Sequence, residues 1–136
     1  MKHLLTGLVF AAFAIACTQK TEAFKIDPKE AFGMIRNDFA VLVDVRESSE
    51  IAEGMAAGAQ WMPFTSKIEA NHPEWEKWAQ SLPKDKTIIV YCRSGRRSGL
   101  AAERLAAKGF RAANMGGYTD WIGAGLPAKK PESAAP

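Results

Sequence analysis

The sequence predicts an α/β fold: an open, mainly parallel sheet of about five strands flanked by helices. Three observations carry this. Residues 40–45 and 87–91 are short, nearly continuous apolar runs, the pattern of strands buried on both faces. Between such runs lie segments of helical periodicity about ten residues long, and strands alternating with helices imply parallel pairing. The 136 residues allow one ordinary domain, and 47% hydrophobic content is enough for a packed core.

Taken in order, Asp27 and Pro28 form a helix start, with Asp as N-cap and Pro at the first helical position. That helix runs to about Arg36, with Ala31, Phe32 and Ile35 on its apolar face. Residues 40–45 form the first buried strand. Residues 49–53 read as a short helix ended by Gly54. Residues 59–64 read as a strand whose end Pro63 weakens. Residues 73–82 read as a helix with Trp75, Trp78, Ala79 and Leu82 in register, stopped by Pro83. Residues 87–91 are the strongest strand, β-branched and aromatic throughout. Residues 98–108 read as a helix with Leu100, Ala101, Leu105 and Ala106 inward, ended by Gly109. A short strand over 111–115 and a helix over 118–124 follow, and residues 128–136 read as a flexible, solvated tail.

Residues 1–23 read as an export signal rather than part of the fold. Lys2 is followed by an apolar run over 4–16, which suits a signal core and is too short to span a bilayer. Two cuts are open: before Phe24, after Thr21-Glu22-Ala23, or before Cys17, after Ala14-Ile15-Ala16. The second resembles a bacterial lipobox, with Ala14 where Leu is usual, and would make Cys17 a lipid anchor. The expected location is therefore the periplasm or another exported site, with no transmembrane helix in the mature chain and a domain over 24–127. Either cut leaves Cys92 as the free thiol, and a lone cysteine in an exported protein is flagged as reactive.

The formal charge of +3 is spread along the chain except for Arg93, Arg96 and Arg97, so no basic stripe argues for nucleic acid. His72 stands alone and no Cys/His cluster or phosphate-loop motif is present, so neither a metal nor any other cofactor is expected. Trp75, Trp78 and Trp121 read as packing residues.

Residues 92–98, Cys92-Arg93-Ser94-Gly95-Arg96-Arg97-Ser98, join the best strand to a helix N-terminus. Ligands of parallel sheets sit at that strand end. The helix start leaves unpaired N–H groups that favour anions. Gly95 permits a tight loop whose N–H groups turn inward. Three guanidinium groups lie within five residues of the thiol. Each effect favours thiolate, so a lowered Cys92 pKa and an anionic substrate are expected. Asp44 and Arg46, at the end of the first buried strand, read as a charge pair bracing this loop.

The run from Val90 to Ser98 resembles the active-site loop of the rhodanese family. Asp44-Val45-Arg46-Glu47 resembles the family's early Asp-x-Arg motif, and Gly109-Phe110, Gly116-Gly117, Trp121 and Gly125-Leu126-Pro127 follow in its order. The likeness covers roughly residues 26–127. It departs at Gly54-Met55-Ala56-Ala57-Gly58-Ala59, where the family often has Gly-His-Ile-Pro-Gly-Ala. The resemblance implies a sulfurtransferase with Cys92 as nucleophile and persulfide carrier. It implies donor binding by Arg93, Arg96 and Arg97, loop N–H groups from Ser94 and Gly95, and support from Ser98. Small sulfur anions would be donors, and cyanide, a thiol or a protein acceptor would take the sulfur. Two other readings stay open: a persulfide carrier or partner-binding module, and a cysteine phosphatase. Such phosphatases resemble Cys-x5-Arg, whereas Arg97 makes this loop Cys-x4-Arg.

Overall fold

The structure, a computed structural model, describes residues 21–130. The apolar run over 4–16, Cys17 and the tail beyond 130 lie outside the described residues. In chain order the elements are β1 (Phe24–Lys25), α1 (Pro28–Arg36), β2 (Ala40–Asp44), α2 (Ser48–Ile51), β3 (Met55–Ala56) and β4 (Gln60–Trp61). After a π-helical turn (Phe64–Glu69) come α3 (Pro73–Ser81), β5 (Thr87–Cys92), α4 (Arg96–Ala107), β6 (Ala112–Gly117), α5 (Tyr118–Gly123) and β7 (Ala128–Lys129). Five strands form a parallel sheet in the order β1-β6-β5-β2-β4, which puts β5 at its centre.

Side chains alternate across a strand, so Ile88, Val90 and Cys92 face one side of the sheet and Ile89 and Tyr91 the other. The first face packs on α3, α4 and the π-helical turn through Trp75, Phe64, Ile68, Ala101 and Leu105. The second packs on α1 and α5 through Ala31 and Trp121. This two-sided cover is why β2 before Asp44 and β5 after Thr87 read as nearly continuous apolar runs. Asp27 caps α1, its carboxylate accepting from Lys29 N at 2.8 Å. His72 caps α3, its Nδ1 accepting from Glu74 N at 3.2 Å.

The structure departs from the sequence reading at several points. Only Gln60–Trp61 pair as a strand in the 59–64 segment; the chain then turns at Pro63 into the π-helical turn. Helix α4 starts at Arg96, so two arginines lie in its first turn. Leu100, expected inward, is 38% exposed, and Ala102 takes the inward place. Ala128–Lys129, read as the start of the tail, pair antiparallel with Met55–Ala56, although their side chains are exposed. Trp75 and Trp121 are buried as expected, and the half-buried Trp78 donates its indole N–H to Gln60 Oε1 at 3.0 Å.

Candidate functional site

Cys92 is the last residue of the central strand, and its side chain is fully buried beneath the N-terminus of α4. Gly95 turns the chain there with φ of +90°, a left-handed conformation costing other residues about 1–2 kcal/mol. The turn aims Gly95 N–H at Cys92 Sγ, 3.1 Å away. In the first turn of α4, the Ser98 hydroxyl lies 3.2 Å from the same sulfur.

Strand β6 backs the loop. Its pairing with β5 slips after Val90, which pairs with Asn114, so that Gly116 and Gly117 lie beside Tyr91 and Cys92. The fit is close: a Cβ on Gly117 would run into the carbonyl oxygen of Arg93, and one on Gly95 would lie 3.3 Å from Gly116 Cα. Asn114 reaches up from β6, donating from Nδ2 to Gly95 O at 2.9 Å. Its Oδ1 accepts from Gly116 N at 3.0 Å and from Ser98 Oγ at 2.7 Å.

Burial acts to push the Cys92 thiol up, but the Ser98 hydroxyl and the N–H groups of Ser98, Gly95 and Ser94 outweigh it, so its pKa is lowered. The expected direction is met, and the main offsetting groups are neutral donors rather than arginines. Arg93 and Arg96 are exposed. Arg93 instead borders a cavity of about 550 Å³ with Glu53, Tyr118 and Ile122, beside the loop. Arg97 forms a two-bond pair with Glu50, 2.7 Å at each nitrogen, so in this arrangement it is tied to a carboxylate rather than free for a donor. The pair holds Glu50 down at about 2.

Asp44 and Arg46 form a buried, two-pronged pair, with Nη2–Oδ2 at 2.7 Å and Nε–Oδ1 at 3.0 Å. The Asp44 bond and charge outweigh the burial that would lower Arg46, so its pKa is raised. Arg46 also donates to Gly54 O at 2.6 Å and Glu53 Oε1 at 3.0 Å, and stacks 4.1 Å over the Tyr118 ring. It therefore braces the segment after β2 directly. The cysteine loop is reached only at one remove, through Glu50 and Arg97.

Of the residues named from the sequence, the structure brings Cys92, Gly95 and Ser98 together; Glu50, Asn114 and the backing role of Gly117 were missed. Asn114 had a signal: it is the polar residue inside the apolar run Ala112-Ala113-Asn114-Met115. Glu50 had none, since its partner lies 47 residues away. Among the described residues no cluster of His, Cys, Asp and Glu could hold a metal ion, and no helix is long and apolar enough to cross a membrane.

Residues 27–124 match the rhodanese-like domain family. A sulfurtransferase of Allochromatium vinosum is 38% identical over 94 residues, covering 68% of this chain and 80% of that one. A thiosulfate sulfurtransferase of Glaesserella parasuis is 30% identical, covering 76% of this chain and 90% of its own. Among solved structures, a rhodanese-related protein from Thermoplasma volcanium superposes with a TM-score of 0.64 at 30% identity, covering 79% of this chain and 98% of that chain. A Rhodopseudomonas palustris protein described as a possible tyrosine phosphatase superposes with a TM-score of 0.63 at 26% identity, covering 80% and 85%.

Proposed function

The chain belongs to the rhodanese-like domain family, and from that premise we propose that it is a sulfurtransferase working through a Cys92 persulfide. The observation that carries this is the donor set on one sulfur: Gly95 N–H at 3.1 Å and Ser98 hydroxyl at 3.2 Å. Such donors stabilise a thiolate before reaction and a persulfide anion after it.

In the first step the Cys92 thiolate attacks the outer sulfur of thiosulfate or a similar anion. The new S–S bond forms as the old one breaks, and sulfite leaves with the bonding pair. In the second step cyanide or a thiol attacks the outer sulfur of the persulfide, and Cys92 leaves as thiolate. Ser94 and Gly95 supply loop N–H groups. Arg93 and Arg96, exposed at the rim, meet the donor's charge, while Arg97 keeps the loop in place through Glu50. The cavity beside Arg93 is where a larger acceptor, including a protein side chain, would approach.

A phosphatase fits less well. The loop is one residue shorter than Cys-x5-Arg, and its terminal arginine is paired with Glu50 rather than free to clamp a phosphoryl group. The apolar run over 4–16 supports an exported protein, with Cys17 as lipid anchor if the earlier cut is used.

The test is thiocyanate production from thiosulfate and cyanide. The native chain is expected to produce it and Cys92→Ser to produce none. Normal turnover by the serine variant, or faster hydrolysis of a phosphate ester than consumption of thiosulfate, contradicts the reading.

A further inference from the structure

Asn114 stands on β6, on the sheet face that also carries Cys92, and its amide bridges Gly95 and Ser98. The chemistry of its neighbours fixes which way it points. Gly116 N–H can only donate, so the amide oxygen faces it at 3.0 Å. The Gly95 carbonyl can only accept, so the amide nitrogen faces it at 2.9 Å. That leaves the oxygen end against the Ser98 hydroxyl, 2.7 Å away.

We propose that Asn114 is a positioning residue for the Cys92 thiolate, its amide holding the loop so that N–H and O–H donors face the sulfur. Two contacts do this. Pinning the Gly95 carbonyl fixes the residue whose own N–H lies 3.1 Å from Sγ, so the turn cannot swing that donor off the sulfur. Pinning Ser98 Oγ keeps the hydroxyl 3.2 Å from Sγ whatever the state of the sulfur. The hydroxyl has one proton and two near acceptors, Sγ and Asn114 Oδ1, with the Gly116 carbonyl a longer third at 3.4 Å. When the sulfur is a thiol, that proton rests on Asn114 Oδ1; when the sulfur is charged, the stronger charge-assisted bond draws it to Sγ. Oγ need not move, only the hydrogen. The amide oxygen stays satisfied throughout, because Gly116 N–H remains on it.

The role rests on Cys92 being the reactive thiol, not on which sulfur donor it meets. The test is therefore independent of turnover: the rate of Cys92 alkylation by iodoacetamide against pH, read from the mass of the Cys92 peptide of the full chain. Asn114→Ala removes both ties, and its midpoint is expected to rise by about one pH unit. Asn114→Asp keeps the side-chain volume, loses the donor to Gly95 and adds negative charge beside the sulfur, so its rise is expected to be larger. The aspartate variant is nearly isosteric, so the result does not hang on whether the alanine variant folds. A loss of stability with no change in midpoint would mark a merely structural residue. An unchanged or lowered midpoint in either folded variant overturns the proposal.

Discussion

The two flanks of the Cys92 loop are held by different chemistry. On the β6 side the contacts are neutral: the Asn114 amide, the Ser98 hydroxyl and the close-fitting backbone of Gly116 and Gly117. On the α2 side they are ionic: Asp44 with Arg46, Arg46 with Glu53, and Glu50 with Arg97. The difference separates two tasks. Dipoles set the charge state of the sulfur without bringing a competing counter-ion to it, whereas ion pairs fix the segment after β2 and, through Arg97, the start of α4. Arginines in the first turn of a helix oppose its dipole. Pairing Arg97 with Glu50 relieves part of that cost, and a bound anion would relieve more.

The largest effect is expected where the ionic side is buried. Arg46→Leu leaves the Asp44 carboxylate without its charged partner in the interior and should cost about 3–5 kcal/mol in urea unfolding. A loss below about 1 kcal/mol would mean the pair contributes little more than a surface bridge. Next comes the neutral side: Ser98→Ala should raise the alkylation midpoint of Cys92 by about one unit with a smaller change in stability. No rise would sink the claim that dipoles tune the sulfur.

A third effect is the acid response. Glu50 has its pKa depressed to about 2 in the folded chain by Arg97, so its stabilisation is fully present above the ordinary carboxylate pKa. That stabilisation is lost as pH falls from about 4.5 towards about 2. Glu50→Gln should flatten this part of the stability–pH curve, and an unaltered slope would show that the pair does not form in solution. The smallest effect is expected at Arg93, an exposed charge screened by solvent. Arg93→Ala should move the alkylation midpoint by less than about half a unit. A shift as large as that of Ser98→Ala would break the division between the two flanks.

This division also marks what could be read from the sequence. The strand end, Gly95 and the helix start are neighbours along the chain, so the residues around Cys92 were legible as a cluster. Asp44 and Arg46 were legible as a pair for the same reason, being two residues apart. What they brace was not, because Gly54 and Glu53 come near only once the segment after β2 has folded back. Asn114 is brought to Ser98 by parallel pairing of β5 and β6 together with a register slip that local periodicity does not reveal. The inward reading of Leu100 failed because the buried face of α4 runs through Ser98, Ala101, Ala102 and Leu105, and at 100° per residue position 100 falls on the opposite side. The pairing of β3 with β7 joins segments too short to show any alternation.

The proposed role of Cys92 as sulfur carrier is tested by intact mass after incubation with thiosulfate. The native chain should gain the mass of one sulfur, lose it on adding cyanide, and fail to gain it as Cys92→Ser. No gain in the native chain, or the same gain in the serine variant, would contradict it.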